Sequence, residues 1–162
     1  VDKSKSPVNS EFNGGIEIKT FHLAYTEGMS KNNTSVVTFY LYAGWLFICP
    51  GDIEEAGWNA LWEKNQATIE TLLAKASRIV LVAPHHGRES GYYKQIFDNL
   101  EPHLVLISDK YGKEPTDQRF LSAASGIVFN GGDTISALST KTKNRIQITV
   151  ESDGLANFDY TH

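Results

Sequence analysis

Cysteine is nearly absent from this 162-residue chain, Cys49 being the only one. An intrachain disulfide is therefore impossible and nothing calls for an oxidising compartment, so a cytoplasmic setting is the expectation. Long apolar runs are also missing. The longest, Val36 to Cys49, is interrupted by Thr38, Tyr40, Tyr42 and Gly44, and it falls short of the roughly 20 residues that a spanning helix needs. No membrane segment is expected. Nor is there an excess of positive charge: 15 Lys and Arg against 19 Asp and Glu leave a net charge of −4. That balance, with a pI near 5.7, removes any global electrostatic reason to bind nucleic acid or anionic membranes. Residues 1–14 lack the apolar core of a signal peptide and are rich in Lys, Ser, Asn and Gly. They read as a polar linker or a cut point within a longer protein, and residues 15–162 as one domain.

With 41% hydrophobic and 21% charged residues the chain can build an ordinary globular core. Ile16 to Leu23 alternates apolar and polar residues as a half-buried strand does, with His22 on the polar phase. Thr34 to Cys49, turning at Ala43-Gly44, predicts a β-hairpin. From Glu54 to about Ala76 the apolar residues Trp58, Leu61, Trp62, Ile69, Leu72 and Leu73 follow helical spacing, with a break suggested at Gln66-Ala67-Thr68. Arg78 to Ala83 reads as a buried strand, Gly91 to Leu100 as a helix, and His103 to Ser108 as a further strand. Short strands are expected near Ile127–Phe129 and Ile135–Leu138, then at Arg145–Glu151 and Leu155–Phe158. The rhythm is that of an α/β layered domain.

Two of these strands stop at polar residues. Leu46 to Cys49 runs into Pro50-Gly51-Asp52-Ile53-Glu54, and Ile79 to Ala83 into Pro84-His85-His86-Gly87. In open α/β sheets ligands gather beyond the carboxyl ends of strands. A carboxylate with imidazoles is a common ligand set for zinc and related divalent metals. Asp52 alone is a weak signal, because aspartates at strand ends most often cap the next helix, and Glu54 reads as a carboxylate at a helix start more readily than as one that orients a ligand. Arg88 and Ser90 could meet a phosphate or simply sit in a solvated loop. Lys110, Lys113 and Arg119 could add local positive charge.

These stretches resemble the metallo-β-lactamase fold. Asn33 and Ser35 ahead of the hairpin, Leu46 to Glu54 ending in Gly-Asp-Ile-Glu, Ile79 to Gly87 ending in Pro-His-His-Gly, and Pro102 to Ser108 carry the resemblance, which runs from about Ile16 to Phe158. The branch most similar is the hydrolase domain of the ComEC competence protein and related stand-alone hydrolases. The resemblance implies an αββα sandwich of which this chain is the C-terminal half, a mixed β-sheet with flanking helices. It implies a two-metal centre, zinc or manganese, that cleaves a phosphodiester. Asp52 would bridge the metals, one of His85 and His86 would bind a metal, and the other would contact substrate or stabilise the leaving group. Ser108 corresponds to a serine near the family's site, and together with Arg88, whose guanidinium could meet a phosphate, it is a candidate substrate contact.

The family's remaining ligands come from an upstream HxHxDH motif and one further histidine. This sequence has no HxHxDH, and its other histidines are His22, His103 and His162. Either the missing ligands lie in an N-terminal half outside this chain, or the chain is a natural half without the metal motif, holding no metal alone. In both cases a lone half would leave the inner face of its sheet uncovered, from Thr34 to Phe47. Packing against the missing half or a second copy as a homodimer is therefore expected. The alternative functions are a non-catalytic dimerisation or partner-binding half-domain and a lactonase or β-lactam-type hydrolase.

Overall fold

The computed structural model describes residues 14–109, 115–128 and 132–161. Most of the polar lead, Lys110, Lys113, His162 and the end of the strand expected at Ile127–Phe129 lie outside them. Strand β1 (Glu17–Phe21) lies antiparallel on β2 (Val37–Tyr42), which pairs antiparallel with β3 (Trp45–Cys49). The hairpin turn is a two-residue one. Ala43 (φ 47°) and Gly44 (φ 81°) both take positive φ, the type I′ geometry whose twist matches the flanking strands.

Helix α1 (Glu55–Ala74) carries the chain back, and β4 (Arg78–Val82) enters parallel to β3. Helix α2 (Lys94–Leu100) leads to β5 (Leu104–Ile107), parallel to β4. Short strands β6 (Ile127–Val128) and β7 (Thr134–Ile135) pair with each other. Beyond them β8 (Ala137–Ser139) adds parallel to β5. The result is a six-stranded mixed sheet in the order β1-β2-β3-β4-β5-β8, which bears out the expected α/β class and the mixed sheet with flanking helices. A separate antiparallel hairpin, β9 (Arg145–Val150) and β10 (Ala156–Thr161), closes the described chain.

The two faces of the sheet have different covers. One buries Val37, Phe39, Leu46, Ile48, Leu81 and Val105 against the apolar stripes of α1 (Trp58, Leu61, Ile69) and α2 (Ile96, Phe97, Leu100). The other packs Trp45, Val80, Leu104 and Leu138 against the inward residues of the β9–β10 hairpin, among them Ile148 and Phe158. Trp45 also donates its indole N–H to the Gly154 carbonyl at 2.9 Å. Contrary to the expected break, α1 is continuous across Gln66–Thr68. Gln66, Ala67 and Thr68 are all exposed, Gln66 bonds Glu70 one turn on, and Thr71 bonds back to the Ala67 carbonyl, so the polar residues there lie on the solvent face and bond along the helix without ending it.

His103 lies at the amino-terminal end of β5, away from the Asp and His strand ends. Its Nδ1 accepts the Ile79 N–H at 3.1 Å, so the ring must keep a lone pair there. Burial, and then the Arg78 charge, hold it below the ordinary histidine value while Glu101 acts in the opposite direction. A histidine lowered in the fold is protonated first in the unfolded chain, so its penalty is absent at high pH and grows as pH falls through the ordinary value. His103→Gln should therefore flatten the loss of stability on acidification below about pH 6.5, read from urea midpoints.

Ala43 is the one non-glycine at a position of the hairpin turn that favours Asn or Gly. Ala43→Asn should raise stability by about 0.5–1 kcal/mol, since Asn tolerates the left-handed region that costs alanine. A shift of the denaturant midpoint at unchanged slope is the measurement.

Candidate functional site

Parallel pairing brings the carboxyl ends of β3, β4 and β5 to one edge of the sheet, and the three loops beyond them carry Asp52, His85-His86 and Ser108. The first loop is held from outside. The 3-10 turn over Lys31–Thr34 and the residue after it reach across: Ser35 Oγ accepts the Asp52 N–H at 3.0 Å, and Asn33 Oδ1 accepts the Glu54 N–H at 2.8 Å. Asn33, the buried polar residue of the core at 4% exposure, thereby caps α1 in place of an N-cap side chain. Gly57 makes room for it, because a Cβ there would lie 2.5 Å from Asn33 Oδ1. Asn32 adds a bond from Nδ2 to Glu54 Oε1 at 3.0 Å.

The second loop is strained. His85 (φ 47°, ψ 47°) and His86 (φ 55°, ψ 25°) are left-handed, followed by Gly87 at φ 74°. Each non-glycine there costs about 1–2 kcal/mol, and such strain persists only where surroundings over-determine it. Here the His85 N–H donates to the Gly51 carbonyl at 3.0 Å, tying the second loop to the first. The Arg88 N–H closes back on His85 O, and the Gly91 N–H on Arg88 O.

The two rings diverge from this turn. His86 Nδ1 lies 2.8 Å from the Ser108 carbonyl oxygen. A carbonyl can only accept, so Nδ1 carries the proton and a neutral ring presents a lone pair at Nε2. That Nε2 faces Asp52 Oδ1 at 3.7 Å, with both side chains about half exposed. His85 turns the other way. Its Nδ1 is 2.8 Å from Ser90 Oγ and 3.7 Å from Glu54 Oε1. Between His85, Arg88, Ser90 and Pro115 lies an open hollow of about 650 Å³.

The expected substrate contacts are placed less simply. Ser108 meets His86 through its backbone carbonyl, with its side chain at an exposed position. The Arg88 side chain is 14% exposed and donates from Nη2 to Asp109 Oδ1 at 3.2 Å. Arg119 lies elsewhere, paired with Asp117 and over the Tyr92 ring at 4.3 Å. Asp109, Thr140 and Lys141, none of them singled out from the sequence, join the site from behind. A polar residue after the third parallel strand was the available signal for Asp109.

Two donors bound to one metal at about 2.1 Å with tetrahedral angles stand about 3.4 Å apart, so Asp52 and His86 are spaced as a ligand pair. A pair is not a full set. Among the described residues no group of three or more His, Cys, Asp and Glu side chains could hold a metal ion. The described residues by themselves therefore do not make a metal site. Another hollow of about 580 Å³, at the opposite end of the sheet beside Trp45, Arg78 and His103, has no carboxylate in its lining. Among the described residues no helix is long and apolar enough to cross a membrane. Comparison with known proteins finds no match to a family model, a curated protein or a solved structure.

The turn depends on a close approach at Gly91, where an added Cβ would lie 2.4 Å from the Pro84 carbonyl oxygen and 3.1 Å from His85 Cβ. Gly91→Ala should cost about 1–3 kcal/mol, as overpacking against backbone does, and should shift the His85 and His86 ring resonances in NMR spectra. A fully stable variant with unchanged ring resonances would contradict this account.

Proposed function

We propose that this chain carries part of a two-metal hydrolase of the metallo-β-lactamase type, acting on phosphodiesters, with the remaining ligands contributed from outside these 162 residues. The observation that carries the reading is the opposition of two acceptors. With Nδ1–H committed to the Ser108 carbonyl, the Nε2 lone pair of a neutral His86 faces the Asp52 carboxylate at 3.7 Å. Such a pair is balanced by a cation between them, either a proton on the ring or a metal ion. An imidazole whose other nitrogen is fixed by a backbone carbonyl is also the usual form of a ligating histidine.

Asp52 and His86 would hold the metal, which by resemblance would be zinc or manganese. When bound, a two-metal centre supplies Lewis-acid polarisation and an activated water. The chain's own contributions are orientation and proton handling. Gly51 and Ser35 set the Asp52 loop, and the Ser108 carbonyl sets His86. His85, held by Ser90 and beside Glu54, faces the hollow where a substrate could lie, with an imidazole able to contact a phosphoryl oxygen or donate a proton to a leaving alkoxide.

The test is metal-dependent hydrolysis of bis-p-nitrophenyl phosphate by the product of the complete reading frame. Asp52→Asn and His86→Ala should each lower the rate by at least about 100-fold, the upper end of what losing an outer-shell partner costs. Absence of metal-dependent turnover in the unaltered protein would overturn the enzymatic reading.

A second reading, a partner-binding half-domain, is favoured by the sheet face that the β9–β10 hairpin does not fully bury. Ile18, Tyr40, Phe47, Cys49, Val82 and Leu106 share that face and remain half-buried or exposed. Either a complementary half or a second copy would cover them, so the isolated 18.0 kDa chain should run as a dimer or larger in light scattering. A monodisperse monomer would count against packing through this face.

A further inference from the structure

We propose that Asp109 is a positioning residue, clamped by Arg88, Lys141 and Thr116, that fixes the Ser108–Asp109 peptide and through it the tautomer and direction of His86. The Asp109 side chain is 1% exposed. Its Oδ1 accepts from Arg88 Nη2 at 3.2 Å, its Oδ2 accepts from Thr116 Oγ1 at 3.0 Å, and Lys141 Nζ lies 3.8 Å from Oδ2. A carboxylate taken out of water is costly unless paired and hydrogen-bonded, so these partners hold it in one place. They come from three separate segments: the loop after β4, the loop after β5 and the turn after β8.

The backbone of the same residue is held as firmly. The Asp109 N–H donates to Thr140 Oγ1 at 2.9 Å, and the Thr140 hydroxyl donates to the Asp109 carbonyl at 2.8 Å. A peptide unit is planar, with its C=O and N–H pointing in opposite directions. Fixing the Asp109 N–H on Thr140 therefore aims the Ser108 C=O the other way, and that oxygen meets His86 Nδ1 at 2.8 Å. Arg88 is two residues beyond His86, so its ion pair also restrains the far end of the left-handed turn. The positioning of His86 stands on this geometry alone; its value for metal binding rests on the function proposed above.

Histidine tautomers read by two-bond ¹H–¹⁵N NMR of the histidine-labelled chain at about pH 8.5, well above the ordinary histidine value, provide the test. His86 should appear in the Nδ1–H form. His103, whose Nδ1 accepts from Ile79, should appear in the Nε2–H form and serves as an internal reference. Asp109→Asn should convert His86 to a mixture of both forms, and so should Thr140→Val, which keeps the ion cluster and removes the peptide's anchor. Asp98→Asn, at the exposed pair with Lys94, should leave His86 unchanged, and His103 should be unchanged in all three. If His86 keeps the Nδ1–H form in folded Asp109→Asn and Thr140→Val, or shows the Nε2–H form in the unaltered chain, the proposal is overturned. A tautomer change in both variants, in a chain whose His86 Nε2 resonance does not respond to zinc, would uphold the positioning role while counting against the metal reading.

Discussion

The parallel ladder of β3, β4 and β5 is the constraint from which the rest of this site follows. Leu46 stands opposite Ile79, and Val80 opposite Leu104, so the three strands run in step and end together. Side chains alternate along a strand, and a slip of one residue would send Leu46, Ile48 and Leu81 from the helix-covered face to the other. The burial that fixes this register therefore also fixes which loops meet at the carboxyl edge. Asp52, His86 and Ser108 come from positions far apart in the chain and are neighbours only because the core allows one alignment.

Register alone brings backbones together; the local bonds decide where functional atoms point. Two successive left-handed histidines would revert to ordinary backbone if left alone, and the His85 N–H bond to Gly51, the tight seat of Gly91 against Pro84 and the anchored Ser108 carbonyl oppose that. The effect is to send adjacent rings in different directions. His86 reaches Asp52, and His85 reaches Ser90 and Glu54. One short turn thus presents two imidazoles in different directions, with the backbone strain balanced by interactions made on both neighbouring loops.

Much of the fold was legible because it rests on period. The hairpin, the strands ending at Asp52 and His85, the long helix and the strand ending at Ser108 follow from alternation, helical spacing and turn residues. What was not legible depends on contacts distant in sequence or on unusual dihedrals. Which histidine faces Asp52 follows from positive φ at His85 and His86, which side-chain type alone does not announce. The role of Arg88 is set by a carboxylate 21 residues away that is buried by segments from after β5 and after β8. The suggested break in α1 failed for a simpler reason: Gln66, Ala67 and Thr68 fall on the solvent side, where polar residues bond along the helix rather than ending it.

The β9–β10 hairpin covers part of the sheet face that the helices leave open. A half-sandwich with one bare face would be a poor fold, because apolar area left in water forfeits about 25 cal/mol per Å². The hairpin covers Trp45, Val80, Leu104 and Leu138, the part of that face nearest the parallel strands, and leaves the β1–β2 side to Tyr40, at 37% exposure, and Ile18. Stability of the core and completion of the site are therefore separable. The parallel strands that carry Asp52, His86 and Ser108 are packed by the helices on one face and partly by the β9–β10 hairpin on the other, where Phe47, Val82 and Leu106 stay half-buried, and the more open part of that face lies on β1 and β2. A partner bound there would not have to build the register that places Asp52 and His86 together.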